Sequence, residues 1–216
     1  MRLLITAGPT REPIDPVRYL SNRSSGRMGY ALAEAALKAG HEVVLVSGPV
    51  SLPPPKGAVF LPVETARQMY DTVGKHLAGC ELAIFAAAVS DYRPKLVEEQ
   101  KIKKTAKTLT LKLERTEDVL GSARPVFGFS GILVGFAAET ENLLANAQAK
   151  LKGKQCDLII ANDISRPGIG FDSEENAVTL CFADGTVVRL PRQLKTKLAS
   201  ALLAEILPLA KKKKAS

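Results

Sequence analysis

The sequence predicts an α/β fold: a Rossmann-like, doubly wound, mainly parallel sheet with a C-terminal β-hairpin extension and a flap. Three observations carry this. Short apolar runs alternate with amphipathic helical patterns along most of the 216 residues. An Asp184-Gly185 turn between two alternating segments, "NAVTLCFADGTVVRL", marks a hairpin near the end. A mid-chain segment around residues 92–113 interrupts the alternation with lysines and polar residues, as a flap would.

The elements follow in order. "RLLITA" is a buried first strand, a helix runs from about Gly26 to Ala39, and "HEVVLVSG" from His41 is the second strand, completing a βαβ unit. "SGPVSLPPPKG" reads as a proline-stiffened loop. A helix near Glu64 to Leu77 precedes the strand "ELAIFAAAV" from Glu81. Then come "ILVGFAAE" from Ile132, a helix from about Glu141 to Lys152, and "DLIIAND" from Asp157, giving five buried strands. The hairpin should extend one sheet edge, followed by a last amphipathic helix from about Arg192 and a basic tail at residues 211–216. Length and a 46% hydrophobic content suit a single domain, 1–216, with a sizeable core.

Composition excludes several classes. No apolar run approaches the roughly eighteen residues of a membrane span, so no membrane association is expected. Cys80, Cys156 and Cys181 are scattered, with no CxxC pair or adjacent histidines, and read as buried thiols in a reducing cytoplasm. Of the net charge of +8, four units are Lys211 to Lys214, a solvated end, and another cluster is "KIKKTAK" at Lys101 to Lys107. With four tyrosines, seven phenylalanines and no tryptophan for base stacking, nucleic acid is not the expected partner.

In such sheets ligands bind beyond the carboxyl ends of the strands. After the first strand, "AGPTREPIDPVRYLSNRSSGRMG" replaces the compact GxGxxG turn of dinucleotide-binding folds with about twenty residues. No Tyr-x-x-x-Lys acid/base pair occurs either, which argues against a nicotinamide-dependent reductase. "SSGRMG" directly precedes a helix, so Ser24, Ser25 and Gly26 suit either a helix cap or a phosphate site. After the third strand, "AAAVSDYRP" presents small residues that admit a ligand and Asp91, a carboxylate suited to ribose hydroxyls or to capping a turn. Lys150 and Lys154 lie four apart on one helix face, where they complement the helix dipole or reach an anion. "KIKK" alone is a solvated charge run, and Phe136 alone a core aromatic.

Taken together, "ITAGPTREPIDPVRYLSNRSSGRMG", "LVSGPVSLP", "AAAVSDYRP", "KIKK", "VGFAAET" and "DLIIANDIS…GF" closely resemble the phosphopantothenoylcysteine synthetases of coenzyme A biosynthesis, nearly end to end. The resemblance implies a ligase joining 4′-phosphopantothenate to L-cysteine, with CTP cleaved to CMP and pyrophosphate through an acyl-cytidylate. It implies Asn22 as the residue that consumes this intermediate, with Arg18 nearby and Ala88 beside the substrate. Lys101 would stabilise charge at the α-phosphoryl group. Ser24, Ser25 and Gly26 would hold phosphates, Asp91 the ribose, Phe136 the nucleotide, and Lys150 and Lys154 its phosphates. Glu117, Asp118 and Val119 form the base-contacting turn, where relatives commonly carry a proline-aspartate pair. That departure bears on the choice of CTP over ATP. "GFDSEEN" carries Glu174 where relatives have aspartate. Mg²⁺ is expected on the triphosphate rather than in a protein cage, since the sequence shows no metal-ligand cluster. No flavin is implied, because no decarboxylase region precedes Met1 and a stand-alone form is expected. Homodimerisation and cytoplasmic localisation complete the expectation.

Overall fold

The computed structural model describes residues 1–104, 107–163 and 173–215. Strand β1 (Arg2–Ala7) leads to a short hairpin, β2 (Arg11–Asp15) and β3 (Arg18–Ser21), then helix α1 (Arg27–Lys38) and β4 (Glu42–Ser47). Next come β5 (Val59–Pro62), α2 (Ala66–His76), β6 (Leu82–Phe85) and a small pair, β7 (Tyr92–Pro94) and β8 (Leu113–Arg115). The chain continues through β9 (Ile132–Glu139), α3 (Leu143–Gly153), β10 (Leu158–Asp163), β11 (Glu175–Phe182), β12 (Val187–Leu194) and α4 (Lys195–Ala215).

One eight-stranded sheet runs β12-β11-β10-β9-β6-β1-β4-β5. Six strands, from β10 to β5, are parallel, and β11 and β12 return antiparallel. The five sequence-predicted strands form the middle of this sheet, and the hairpin extends one edge as expected. Because both faces are covered, the inner parallel strands are largely apolar and successive side chains feed opposite layers. Leu3, Ile5, Leu45, Ile84, Val134 and Ile160 face one layer with Leu32 of α1 and Leu198, Leu202 and Ile206 of α4. Leu4, Val44, Leu133 and Ile159 face the other, with Met69 and Val73 of α2 and Ala147 and Leu151 of α3. Each fully buried Leu or Ile contributes about 1.5–3 kcal/mol relative to exposure, which makes this double layer the main source of cohesion. Thr65 completes a capping box with Gln68 and fixes the start of α2.

Five details depart from the sequence reading. The long first loop contains the β2–β3 hairpin, and β5 forms after the proline-rich loop. The 92–113 flap is rooted on the β7–β8 pair. The last helix begins at Lys195 rather than Arg192, because β12 carries its alternation on to Leu194; Pro191 is tolerated there because β12 is an edge strand. The basic residues from Lys211 do not form a tail after a helix, since α4 runs through Pro208 to Ala215. Lysines suit a helix C-terminus, and Lys213 Nζ reaches the Gly131 carbonyl at 3.1 Å. No helix among the described residues is long and apolar enough to cross a membrane. Cys80, Cys156 and Cys181 are buried and unbridged, and burial pushes the Cys156 thiol up to about 12.

Helix α1 lies unusually close to β1. A Cβ at Gly29 would stand 2.5 Å from the Ala7 Cβ and 3.1 Å from the Thr6 carbonyl oxygen. Alanine gains about 1 kcal/mol over glycine in helix propensity. Overpacking costs roughly 1–3 kcal/mol, so the clash wins. Gly29→Ala should therefore lower stability by roughly 1–2 kcal/mol, read as a shifted urea midpoint at unchanged slope. Gly153→Ala, whose Cβ would meet nothing within 4 Å, should hold or raise it.

Candidate functional site

The strand order reverses direction beside β1, whose neighbours are β4 on one side and β6 on the other. This opens a crevice at the carboxyl ends of β1 and β6. The segments leaving the two strands are stitched together across it. Ala88 N–H donates to the Gly8 carbonyl at 2.9 Å, Thr10 N–H to the Ala88 carbonyl at 3.2 Å, and Ser90 N–H to Thr10 Oγ1 at 2.9 Å. Asn22 Nδ2 donates to the same Ala88 carbonyl at 3.0 Å, and Ser21 Oγ to the Thr10 carbonyl at 2.8 Å. The loop after the β2–β3 hairpin is thereby pinned over the end of β6.

Two adjoining cavities occupy the crevice. One, of about 370 Å³, is lined by Asn22, Ser24, Ser25, Gly26 and the first turn of α1, together with Ala86 to Ala88. The other, of about 470 Å³, is lined by residues 115–120, Tyr92 and Lys154. Ala87, Val89, Asp91, Phe136 and Lys150 line both, so the two form one cleft. The cap of α1 is Gly26 in the left-handed conformation, φ 74°, with no side-chain cap hydrogen bond. Ser24 Oγ instead accepts from Gly26 N–H at 3.4 Å. A serine is therefore not spent on capping, and this helix start presents backbone donors and hydroxyls to the cleft.

Lys150 Nζ donates to the Phe136 carbonyl at 2.8 Å, and burial drives its pKa below the ordinary lysine value. Lys154 pairs with Asp118, whose Oδ1 also accepts from Gly121 N–H at 2.8 Å. The 116–118 turn is tied to the entry of β7, with Thr116 N–H donating to the Asp91 carbonyl at 3.0 Å. Val119 is buried beneath it. Glu117 lines the cleft and directs its carboxylate to Arg93 and Arg67. Burial pushes the Glu117 carboxyl up, but its own backbone N–H and the two guanidinium groups outweigh this and lower it.

Lys101 and Arg18 do not line either cavity. Arg18 pairs with the fully buried Asp15 and donates to the Ile102 carbonyl at 3.1 Å, while Ile102 N–H donates to Asp15 at 3.1 Å. The Arg18 guanidinium holds the Asp15 carboxyl far below the usual carboxylate range, against the effect of burial and with help from backbone N–H groups. Asp15 and Arg18 thus clamp the flap beside the exposed Lys101. Ile164, Ser165, Gly170 and Phe171 of the quoted "DLIIANDIS…GF" motif lie outside the described residues, as do Thr105 and Ala106 of the flap. Glu174 is exposed and paired with Arg27 at 3.2 Å.

Sequence reasoning missed Arg93, Thr116, Asn162, Asn176 and Lys195. Asn162 is the penultimate residue of β10, so the strand-end rule that singled out Asp91 also points to it. It is 8% exposed, lines the smaller cavity, and its Oδ1 has no hydrogen-bond partner among the described residues. Asn176 and Lys195, the latter 6% exposed, reach the same cavity from the antiparallel strand β11 and the start of α4. No local pattern marks them. Among the described residues no group of three His, Cys, Asp or Glu side chains could hold a metal ion.

Fold and site define a doubly wound α/β domain with a polar, lysine-bearing cleft at its switch point. The model of the DNA/pantothenate metabolism flavoprotein C-terminal domain matches residues 1–209, and the chain belongs to that family. It is 46% identical over 213 residues to the coenzyme A biosynthesis bifunctional protein CoaBC of Bacillus subtilis, covering 97% of this chain and 52% of that protein. It is likewise 46% identical over 209 residues to CoaBC of Escherichia coli, covering 95% of this chain and 51% of that protein. The chain thus spans about half the length of these relatives. The crystal structure of a CoaBC C-terminal domain superposes with a TM-score of 0.84 at 41% identity, covering 98% of this chain and 96% of that one.

Burial of an uncompensated lysine has a measurable signature. With the Lys150 pKa lower in the folded than in the unfolded chain, the folded state binds fewer protons over that window, so stability rises as pH approaches 10.5. Thermal melts between pH 8 and 10.5 should show this rise in the wild type and lose it in Lys150→Met.

Proposed function

We propose that the chain is a phosphopantothenate–cysteine ligase that uses CTP, and that the switch-point cleft is its active site. The observation that carries this reading is the continuity of the two cavities through Asp91, Phe136 and Lys150. It offers a phosphate end and a nucleoside end at once, and the family's bifunctional coenzyme A proteins supply the substrate class. Ser24, Ser25, Gly26 and Lys150 hold the triphosphate. Asp91 receives the ribose, and the 117–119 backbone and Phe136 receive the base. Lys154, paired with Asp118 in the free protein, exchanges that partner for phosphate oxygens.

The substrate carboxylate attacks the α-phosphorus, and pyrophosphate leaves. The amine of L-cysteine then attacks the acyl carbonyl, CMP leaves, and the amine proton is lost. Both steps depend chiefly on positioning and charge neutralisation. Asn22, oriented by its bond to the Ala88 carbonyl, keeps its amide oxygen as an acceptor for the attacking amine. Lys101 must come from the flap to neutralise charge at the α-phosphoryl group. Because it stands outside the cleft of its own chain, that contact requires closure of the flap or the flap of a second copy in a homodimer. Mg²⁺ would arrive on the triphosphate and neutralise phosphate charge, with Asp91 the carboxylate that lines both cavities. Cytoplasmic localisation belongs to the same reading. The Glu117 departure makes a second, ATP-dependent version of the same ligase the alternative to test.

The decisive assay is pyrophosphate release with 4′-phosphopantothenate, Mg²⁺ and L-cysteine, comparing CTP with ATP. Release with CTP is the expected result, preference for ATP selects the second version, and release with neither refutes the ligase. Asn22→Asp should still release pyrophosphate and accumulate acyl-cytidylate, whereas Lys101→Gln should block both steps.

A further inference from the structure

The base-contacting turn is held by a chain of five charges of alternating sign. Arg67 Nε donates to Asp71 at 3.0 Å, and Arg67 Nη1 to Glu117 Oε1 at 3.3 Å. Arg93 Nη1 donates to both Glu117 oxygens at 3.1 and 3.0 Å, and Arg93 Nε to Glu114 at 3.0 Å. The chain links α2, the turn, β7 and β8. Its centre is sheltered, with the Glu117 side chain 19% exposed and that of Arg93 30%. Charge-assisted contacts that share partners in this way hold geometry better than isolated surface pairs.

The same turn is fixed from two other directions. Thr116 Oγ1 donates to the Ser90 carbonyl at 2.5 Å, and Val119 and Ala123 are buried in the core below. Its backbone therefore keeps a set distance from Asp91, whose carbonyl accepts from Thr116 N–H. A base read by main-chain groups is discriminated by where that main chain stands, since every residue type offers the same donors and acceptors.

We propose that the Arg67–Glu117–Arg93 chain sets the nucleobase selectivity of the cleft, holding the 116–119 backbone where it accepts a one-ring base and excludes a two-ring base. Glu117 and Arg93 are positioning residues, acting through the turn. The inference rests on the reading of the 470 Å³ cavity as the ribose and base site.

The test is titration calorimetry of CTP and ATP with the full chain at low and high salt, for wild type, Glu117→Gln, Arg93→Gln and the double variant, with melting temperatures alongside. The expected result is a wild-type preference for CTP that falls about tenfold in Glu117→Gln, mostly through tighter ATP binding, with little change in melting temperature. The double variant should be no worse than Glu117→Gln, and raising salt should erode the preference in wild type alone. Arg67→Gln, on the exposed face of α2, should give a smaller loss in the same direction even if Glu117→Gln folds poorly. An unchanged CTP to ATP ratio in Glu117→Gln and Arg67→Gln overturns the inference while leaving the cleft intact. A wild-type preference for ATP overturns the one-ring assignment, and wild-type binding of neither nucleotide overturns the reading of the cavity itself.

Discussion

The cleft depends on the stitching of residues 8–10 to residues 88–90. Parallel strands adjacent at a switch point send their following segments to opposite sides of the sheet, so nothing in the fold alone keeps the two strand ends together. Here Thr10, fully buried, supplies a carbonyl to Ser21 and a hydroxyl oxygen to the Ser90 N–H, while its own N–H meets Ala88. Buried backbone groups without such partners would each cost about 1–3 kcal/mol, so satisfaction and shape are achieved by the same bonds. Asn22 and Asp91 inherit their positions from that seam.

The site accepts electrostatic cost away from that seam. Lys150 is half-buried, its ammonium against a carbonyl rather than a carboxylate, and a group so placed is desolvated without full compensation. A polyanion entering the cleft would supply the missing partner. By contrast, Asp15 is buried with its charge fully met by Arg18 and three backbone N–H groups, which suits a residue that anchors a flap rather than one that waits for ligand.

Legibility in the sequence tracked how local each interaction was. Buried parallel strands announced themselves as continuous apolar runs, and the Asp184-Gly185 turn marked the hairpin. Ser24, Gly26 and Asp91 were found because strand ends and helix starts have recognisable neighbours, and Lys150 because it stands four residues from Lys154 near the end of a helix. The β2–β3 hairpin was not, since "REPIDPVRYLS" mixes prolines and charges that obscure a period of two. The boundary of α4 moved because "VVRLPRQL" satisfies a strand pattern that a proline disguises. Asn176 and Lys195 reach the cleft, and Arg93 reaches Glu117 behind it, through tertiary placement alone, and no spacing rule encodes that.

The acceptor at the heart of the seam is a main-chain oxygen. Ala88 can be exchanged for another residue and its carbonyl still receives Thr10 and Asn22, provided the backbone holds its course. Mutational sensitivity is therefore displaced from the atom that organises the crevice onto the Asn22 side chain, since Thr10 addresses the same oxygen through its main-chain N–H. A survey of substitutions at position 88 would report tolerance to chemistry and intolerance to bulk, and would conceal that the oxygen there is a fixed reference point shared by the segments that leave β1 and β6.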